Sequence, residues 1–404
     1  MPIPIVEFPS YISEMCGDFQ DMFQQERQYL QFKRLMTSFV LPEKHTIANM
    51  NGFFVNHTNQ SNLNRFVTHA SWDALKMNRK KIDMINSVED DGIVVLDDYI
   101  VEKTGKKIHG VDWHYDHAKK RSLFGHQVAD CVFSGKGIYS LLSQIYLRKN
   151  SKWLKNLSFK TKIDLQMENL TQIKEMGLKF SVVAMDIWYF NKKLTDHIEL
   201  LEKDWIAQCK SNRLVKSQGQ WVSLKSFAED AIGRYAFKNI TLGDNTYLMK
   251  AFTVYMKGMG KIKVLISLNE HKNFNFYVTN ELHWNELAIA TRYSRRWDIE
   301  VWHREGKVSY GLKDCQLRSD EAVKKYMTLS ALAATLLEIA TMLSPVYAML
   351  VNRVRTPGLK HRWILAEMVG QLISYASKIG DFGTKRIVES ILSPYKSTIW
   401  RYPG

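Results

Sequence analysis

Two short apolar runs, each followed by an aspartate, constrain the fold of this chain most strongly. In "GIVVLDDYI" the run Ile93–Leu96 precedes Asp97, and in "FSVVAMD" the run Val182–Met185 precedes Asp186. Short apolar runs bounded by glycine and polar residues are typical of strands that are buried on both faces. Because a segment with helical periodicity separates the two runs, the sequence predicts an α/β core.

The periodicity changes along the chain and divides it into segments. Residues 1–90 carry apolar side chains at helical spacing and predict a helical N-terminal domain. Residues 91–200 form the first part of the core, and residues 201–282 run or alternate apolar between Gly, Asn and Lys turns, which predicts a β-rich insertion. Residues 283–345 return to a helical pattern that would complete the core. Residues 346–404 are predicted to form a helical C-terminal region.

The charge of the chain favours a polyanionic partner. Lys and Arg number 56 against 41 Asp and Glu, which gives a net charge of +15. Such a balance is typical of proteins that bind nucleic acid or an anionic membrane. In the N-terminal segment Arg65, Lys76 and the run "NRKK" at residues 78–81 form either a solvated basic face or a DNA-contacting face, and the sequence leaves both interpretations open.

Cysteine usage and hydropathy favour a cytoplasmic protein without a membrane span. The four cysteines are scattered and form no CxxC pair, so they indicate neither a disulfide framework nor a zinc module. The first residues lack the basic start and apolar stretch of a signal peptide. The apolar stretch "YMTLSALAATLLEIATMLSPVYAML" is interrupted by Glu338 and Pro345, so a buried helix is favoured over a membrane helix. No P-loop, nucleotide-binding glycine pattern or serine elbow occurs, which argues against an ATP-dependent or hydrolase mechanism.

A third acid lies in the segment "YSRRWDIEVWHREGK" at residues 293–307. On one continuous helix at about 100° per residue, Tyr293, Arg296, Glu300 and Lys307 fall within an arc of about 60°. An aspartate after a strand usually begins a turn, but Glu300 supplies a third carboxylate within a cationic face. Converging carboxylate oxygens suit Mg²⁺ or Mn²⁺, and two such ions can support attack on a phosphodiester.

The spacing Tyr-x2-Arg-x3-Glu-x6-Lys resembles the signature of the DDE transposases of insertion sequences, in the YREK-signature, insertion-sequence-4-like group. The pair Asp97-Asp98 with "EKTGKKIHG" is similar to the family's first-acid segment, and "MDIWYF" with "CKSNR" is similar to its second. Gly311-Leu312 and "QLR" at residues 316–318 also match. The resemblance extends from about Asp97 to Leu343.

The resemblance implies a ribonuclease H-like core in which the two aspartates lie on neighbouring strands and the glutamate lies on a helix beside them. Asp97, Asp186 and Glu300 would then be the catalytic residues and the ligands of a two-metal site for Mg²⁺, with Mn²⁺ as a substitute. One departure bears on the first ligand, because this chain has Asp97-Asp98-Tyr99 where relatives commonly have Asp-x-Thr. Counting from the family pattern selects Asp97, while strand alternation leaves Asp98 open.

The same resemblance implies DNA contacts for the signature residues. Arg296 and Lys307 would hold phosphates near the cleavage site, and Tyr293 would contact the DNA end. Trp297 follows the arginine, as in relatives that stack an extruded base during hairpin formation. Core packing is the alternative role for this tryptophan, and excision with or without a hairpin stays open.

A group of histidines offers a competing metal site. His109, His114 and His117 lie close to Asp112 and Asp116 in the sequence, which is the kind of composition that binds transition metals. The spacing fits no zinc pattern, so we predict solvated or DNA-facing histidines.

Together these features predict a DNA transposase that binds terminal inverted repeats and catalyses metal-dependent cleavage and strand transfer in cut-and-paste transposition. Its partner would be double-stranded DNA, both at the element ends and at the target, and the family implies a dimer on DNA in a synaptic complex. We expect a cytoplasmic, nucleoid-associated protein. The alternatives are a catalytically inactive, transposase-derived DNA-binding protein and a structure-specific nuclease of the same fold.

Overall fold

The structure is a computed structural model that describes residues 3–155, 157–269, 273–345 and 357–392. Of the predicted C-terminal helical region, residues 346–356 and 393–404 lie outside the described residues. The described residues form a mixed α/β structure around one large sheet, as the apolar runs predicted.

Helices make up the regular structure of the described residues before the sheet begins. They are α1 (Ser10–Met15), the 3₁₀ helix Cys16–Met22, α2 (Glu26–Phe39), α3 (Ile47–Gly52), α4 (Gln60–Thr68) and α5 (Ala74–Val88). Polar residues in front of α3, α4 and α5 supply first-turn hydrogen bonds that the backbone leaves unmade. Asn59 Oδ1 accepts from Ser61 N at 2.9 Å, and Asp73 Oδ1 accepts from Leu75 N at 2.7 Å.

Within the described residues, twelve strands form a single sheet. The strands are β1 (Ile93–Glu102), β2 (Asp112–Asp116), β3 (Arg121–Ser134), β4 (Ile138–Tyr146), β5 (Val182–Met185), β6 (Asp204–Cys209), β7 (Leu214–Ser217), β8 (Gln220–Ser223), β9 (Lys238–Leu242), β10 (Asn245–Met256), β11 (Gly260–Leu268) and β12 (Phe274–Thr279). Their order is β2-β3-β1-β5-β6-β12-β11-β10-β7-β8, with β4 beside β3 and β9 beside β10. The strands of the β-rich segment therefore extend the central sheet through the antiparallel pair β6 and β12.

The centre of the sheet combines both strand directions. β1 is antiparallel to β3 and parallel to β5, and β5 is parallel to β6. The prediction that the first strand ends at Asp97 is wrong, because β1 continues to Glu102. It does so because β3 pairs with β1 over its whole length, from Ile93 opposite Ser134 to Glu102 opposite Gly125.

Helices cover both faces of the sheet. After β4 the chain forms α6 (Lys162–Glu175), α7 (Lys192–Leu200), α8 (Leu224–Arg234), α9 (Glu286–Ser294), α10 (Trp297–Val308), α11 (Asp320–Leu343) and α12 (Pro357–Leu392), which is kinked at Gly380. Val95 of β1 packs in one core with side chains of α2, α10 and α11. Leu96, the next residue, points to the other core, which contains side chains of α6 and α7.

Among the described residues, α11 is the helix that is long and apolar enough to cross a membrane. Most of its side chains are buried, and it packs against α2, α5 and β4. Ser319 caps its first turn by accepting from Ala322 N. This packing agrees with the prediction of a buried core helix.

Candidate active site

The two predicted aspartates lie side by side on neighbouring parallel strands. Leu96 of β1 lies opposite Met185, the last residue of β5. Asp97 and Asp186 directly follow these two residues in the sequence, so they are neighbours at this point of the sheet. Asp97 shares a face with Val95, which packs in the same core as Ile299 of α10. The face that carries Asp97 is therefore the face covered by α10.

A tight turn after β5 holds the carboxylate of Asp186. The backbone N–H groups of Trp188 and Tyr189 donate to Asp186 Oδ1 at 2.9 Å and 3.0 Å. Such a local hydrogen-bonded turn is typical of an aspartate that ends a strand. These hydrogen bonds also fix the orientation of the carboxylate at the carboxyl end of β5.

The side chain of Arg296 contacts two of the three predicted metal ligands, Asp97 and Glu300. Its Nη2 donates to Glu300 Oε1 at 2.5 Å, and its Nη1 lies 3.7 Å from Asp97 Oδ2. Its positive charge also lowers the pKa of Asp186, against the larger effect of burial. The guanidinium thus lies beside Asp97 and Glu300, and its positive charge offsets the repulsion between the carboxylates.

Burial makes the two aspartates, Asp97 and Asp186, costly to ionise. Burial raises the pKa of Asp97 to about 6, with a lowering effect from His303 and a further rise from the charge of Asp186. Burial also raises the pKa of Asp186. Closely spaced, poorly solvated carboxylates are stabilised by a nearby cation, and hard oxygen donors suit Mg²⁺ or Mn²⁺. The residues present therefore fit the chemistry of a divalent metal site.

The carboxylates are not gathered into a complete ligand set in this arrangement. Within the described ranges, no three side chains among His, Cys, Asp and Glu are close enough to hold one ion together. The Arg296 guanidinium lies beside Asp97 and Glu300 instead. Metal binding at these residues would require the arginine to give way.

The prediction of one continuous helix across the signature residues is wrong. Helix α9 ends at Ser294 and α10 begins at Trp297, with a turn at Arg295 and Arg296 between them. Arg295 Nη1 donates to the backbone oxygen of Gly135 at 2.6 Å, which fixes this turn against the end of β3. Tertiary contacts thus override the helical spacing of the sequence.

The break changes the position of Tyr293. This residue belongs to α9 rather than to the helix that carries Glu300, and its ring centroid lies 4.4 Å from that of Tyr277 on β12. Burial raises the pKa of Tyr293 well above its usual value. The tyrosine therefore joins α9 to the β-rich part of the sheet.

Lys307 lies on α10 with Glu300, but about two helical turns further on. Its Nζ is 5.4 Å from the ring centroid of Tyr99. Burial and the charge of Lys119 lower its pKa, while Asp116 raises it. Lys307 thus lies over Tyr99 and within reach of the charges of the turn between β2 and β3.

Trp297 is exposed beside the acids. Its side chain is 58% exposed, which excludes the alternative of core packing. It lines a cavity of about 470 Å³ whose walls include Asn275, Tyr277, Tyr293 and Arg296. An aromatic face, amide groups and a cation therefore surround this space.

Asp98, the alternative first ligand, points to the other face of the sheet. Its carboxylate accepts from Lys162 Nζ at 2.9 Å, Gln127 Nε2 at 2.6 Å and Tyr189 Oη at 2.7 Å. These contacts join α6, β3 and the loop after β5. Of the two neighbouring aspartates, Asp97 is the one on the side of α10.

A buried acid that the sequence analysis missed supports the same helix. Asp130 of β3 lies opposite Asp97 in the sheet and is fully buried. Its carboxylate accepts from Ser143 Oγ at 2.6 Å and from Trp302 Nε1 at 3.0 Å, and it lies 3.2 Å from His303 Nε2. A single acid within the apolar stretch "VADCVF" was the available signal. Asp130 fixes α10, and with it Glu300, over the sheet.

The predicted group of histidines is dispersed in the structure. His109 Nδ1 lies 3.2 Å from Asp320 Oδ1, and His117 stacks on Trp188. His114 is 4% exposed, so the prediction of a solvated or DNA-facing side chain is wrong for this residue. It is buried because it alternates with exposed neighbours along β2.

Comparisons with known proteins identify a family. Residues 142–345, just over half of the chain, match the sequence profile of the family described as archaeal putative transposase ISC1217. The chain is similar to a probable transposase for insertion sequence element IS701 from Microchaete diplosiphon, with 23% identity over 227 residues. That alignment covers 53% of this chain and 58% of the relative, so the chain spans less than two thirds of the length of that protein.

Among solved structures, the Drosophila P element transposase strand transfer complex aligns with 97% of this chain and 93% of its own. The sequence identity is 10% and the TM-score is 0.26, a similarity too low to support any argument about fold or function.

Proposed function

The chain belongs to the family described as archaeal putative transposase ISC1217, and from this membership we propose that it is a DDE-type DNA transposase of an insertion sequence. It would bind terminal inverted repeats, cleave the DNA at the element ends and transfer the strands to a target. The family match carries this proposal. The relative named as a probable transposase of an insertion sequence element supports it.

We propose that Asp97, Asp186 and Glu300 hold Mg²⁺, or Mn²⁺ as a substitute, in a two-metal site. The pairing of β1 with β5 and the packing of α10 on the face of Asp97 support both this assignment and a ribonuclease H-like core. The spacing of the signature residues supports the YREK-signature group. When bound, the ions would activate a water or a 3′-hydroxyl and stabilise the leaving oxygen.

The side chains around the acids would bind and orient the DNA strand. Arg296 presents a planar guanidinium that can form paired hydrogen bonds to a phosphate. To do so it would leave Glu300, its partner in the present arrangement. Lys307 would hold a second phosphate nearer to the β2–β3 turn, and Tyr293 and Trp297 would contact the DNA end. The cavity beside Trp297 offers stacking surface for an extruded base.

The proposed partners are double-stranded element ends and target DNA, bound by a dimer in a synaptic complex. Residues 1–90 are proposed to bind the end DNA, and the net charge of +15 favours such a partner. We propose that the protein acts in the cytoplasm, associated with the nucleoid.

The test is a cleavage assay with purified protein, Mg²⁺ or Mn²⁺, and the DNA that flanks its own gene. Asp97→Asn, Asp186→Asn and Glu300→Gln keep the side-chain volumes and remove the carboxylates. We expect these variants to lose cleavage while they bind the end DNA as the wild type does. Asp90→Asn is the matched control, because this acid is on the surface with its side chain 92% exposed.

Two results would contradict the proposal. One is cleavage by the three variants at the wild-type rate, and the other is loss of end binding in all three. Joining of the cleaved ends to a target plasmid separates a transposase from a structure-specific nuclease, because a nuclease would release the ends without joining them.

A further inference from the structure

An exposed row of aromatic side chains in mutual contact lies beside the predicted metal site. The ring centroids of Tyr115 on β2 and His117 in the following turn are 5.0 Å apart. His117 stacks on Trp188 at 5.4 Å with the ring planes 27° apart, and Lys210 Nζ lies 4.9 Å from the Trp188 ring centroid. We call Tyr115, His117, Trp188 and Lys210 the aromatic row. Tyr115 is 53% exposed and Trp188 is 65% exposed, so the row faces solvent.

The row is attached directly to one of the predicted metal ligands. The backbone N–H of Trp188 donates to Asp186 Oδ1 at 2.9 Å, within the turn that fixes this carboxylate. The other three residues come from other parts of the chain: Tyr115 lies on β2, His117 follows β2 directly, and Lys210 follows β6 directly. A strand bound at Asp186 would therefore meet Trp188 within a few nucleotides.

The surface around the aromatic row is basic. The turn between β2 and β3 contains Lys119 and Lys120, and Arg121 is the first residue of β3. Lys119 pairs with Glu102 at 2.7 Å. Lys210 supplies a cation over the face of the tryptophan. Aromatic rings interleaved with cations therefore match a ligand that has both flat faces and negative charge.

Unpaired nucleotides have this chemistry, whereas a duplex presents mainly its phosphates. Every base has a face that can stack on an aromatic side chain, and the adjoining phosphates are attracted by lysine and arginine. In a duplex the base faces are already stacked on one another. We propose that the aromatic row binds unpaired nucleotides of the DNA strand that is cleaved at Asp186. This inference rests on the proposed function for the identity of that strand.

The surface beyond Lys210 has room for a further nucleotide. A cavity of about 420 Å³ lies there, and its lining includes Lys210, Asn212, Gln208 and Phe274. Amide groups can donate to and accept from base edges, and a phenyl ring can stack on a base face. The aromatic row and this cavity thus form one continuous track.

The test is a binding measurement in the Glu300→Gln background, so that the DNA stays intact. A blunt duplex is compared with the same duplex carrying a single-stranded tail of about six nucleotides, long enough to cover the row, with 2-aminopurine in the tail. We expect Trp188→Ala to weaken binding of the tailed DNA by about 5- to 150-fold, the loss of one stacked base. Binding of the blunt duplex should be unchanged, and Trp188→Phe should restore both the affinity and the stacking-dependent quenching of 2-aminopurine.

Trp221→Ala is the matched control, because Trp221 is a similarly exposed tryptophan on β8, at the other end of the sheet. It should bind both DNAs like the parent protein. The inference is overturned if Trp188→Ala leaves tailed binding intact, if it weakens both DNAs equally, or if Trp221→Ala has the same effect. Cleavage by the protein with Glu300 intact is measured separately. If this protein does not cleave DNA, the proposed function is rejected. If it cleaves normally but the row gives no tail-specific binding, only this inference is rejected.

Discussion

Removing the buried carboxylate of Asp130 should destabilise the protein strongly. In Asp130→Ala, Ser143 Oγ and Trp302 Nε1 lose their acceptor, and His303 loses the carboxylate 3.2 Å from its Nε2. Each buried donor left without a partner costs about 1–3 kcal/mol. The Ser143 hydroxyl can rotate toward another acceptor, so we expect a total loss of about 2–4 kcal/mol, most of it from the unpaired indole N–H of Trp302.

Urea unfolding at constant pH, followed by tryptophan fluorescence, measures this loss. Asp130→Asn should lose less, about 1–2 kcal/mol, because its amide oxygen can still accept from Trp302 Nε1. Asp196→Ala is the control, since this exposed acid pairs with Lys192 one turn away and should change stability by less than about 0.5 kcal/mol. A value for Asp130→Ala within about 1 kcal/mol of the control would refute the argument that this carboxylate secures α10.

Three further variants test other buried contacts. Burial lowers the pKa of Lys81 to about 7. Between about pH 7 and pH 10.5 the unfolded chain therefore holds a proton at this lysine that the folded chain lacks. The free energy of unfolding of the wild type should rise in this range by up to about 1.4 kcal/mol per pH unit relative to that of Lys81→Met. Parallel pH profiles of the two unfolding free energies would exclude this. In Gly125→Ala the new Cβ would lie 2.1 Å from the backbone oxygen of Val101, so thermal unfolding should show a loss of about 1–3 kcal/mol; an unchanged midpoint would contradict it. Lys103→Met removes the ammonium that donates to three carbonyl oxygens in the turn after α10. Urea unfolding should show that the free energy of unfolding falls by more than about 1 kcal/mol, and a smaller fall would contradict a stabilising role for these bonds.

The sequence predicted those features that depend on local pattern. The apolar runs before Asp97 and Asp186 became β1 and β5, because residues buried on both faces must be apolar along the whole strand. The helical spacing of apolar residues in the N-terminal segment predicted helices there, because this spacing also depends only on nearby residues. The sequence selected Glu300 as a candidate through its spacing to Arg296, and the structure shows these two side chains in direct contact.

Features that depend on contacts between distant segments could not be predicted. The role of Asp130 follows from the register of β1 and β3, which sets it opposite Asp97. At the break between α9 and α10, Arg295 donates to the backbone oxygen of Gly135, a residue far away in the sequence. Periodicity carries no information about either pairing, since each is fixed only when the sheet has formed.

The aromatic row has the same origin in tertiary structure. His117 and Trp188 are far apart in the sequence, and each alone is an ordinary exposed side chain. They stack because the turn after β2 reaches the loop that follows β5. Only the folded sheet brings them beside Asp186.

The most direct test of the proposed site is a map of where a divalent metal binds. Fe²⁺ takes the place of Mg²⁺ at carboxylate sites, and with peroxide it cuts the nearby backbone. We expect cuts close to Asp97, Asp186 and Glu300, suppressed by excess Mg²⁺ and lost in Glu300→Gln. Cuts confined to other segments, or an unchanged pattern in Glu300→Gln, would contradict the assignment of these three carboxylates to one metal site.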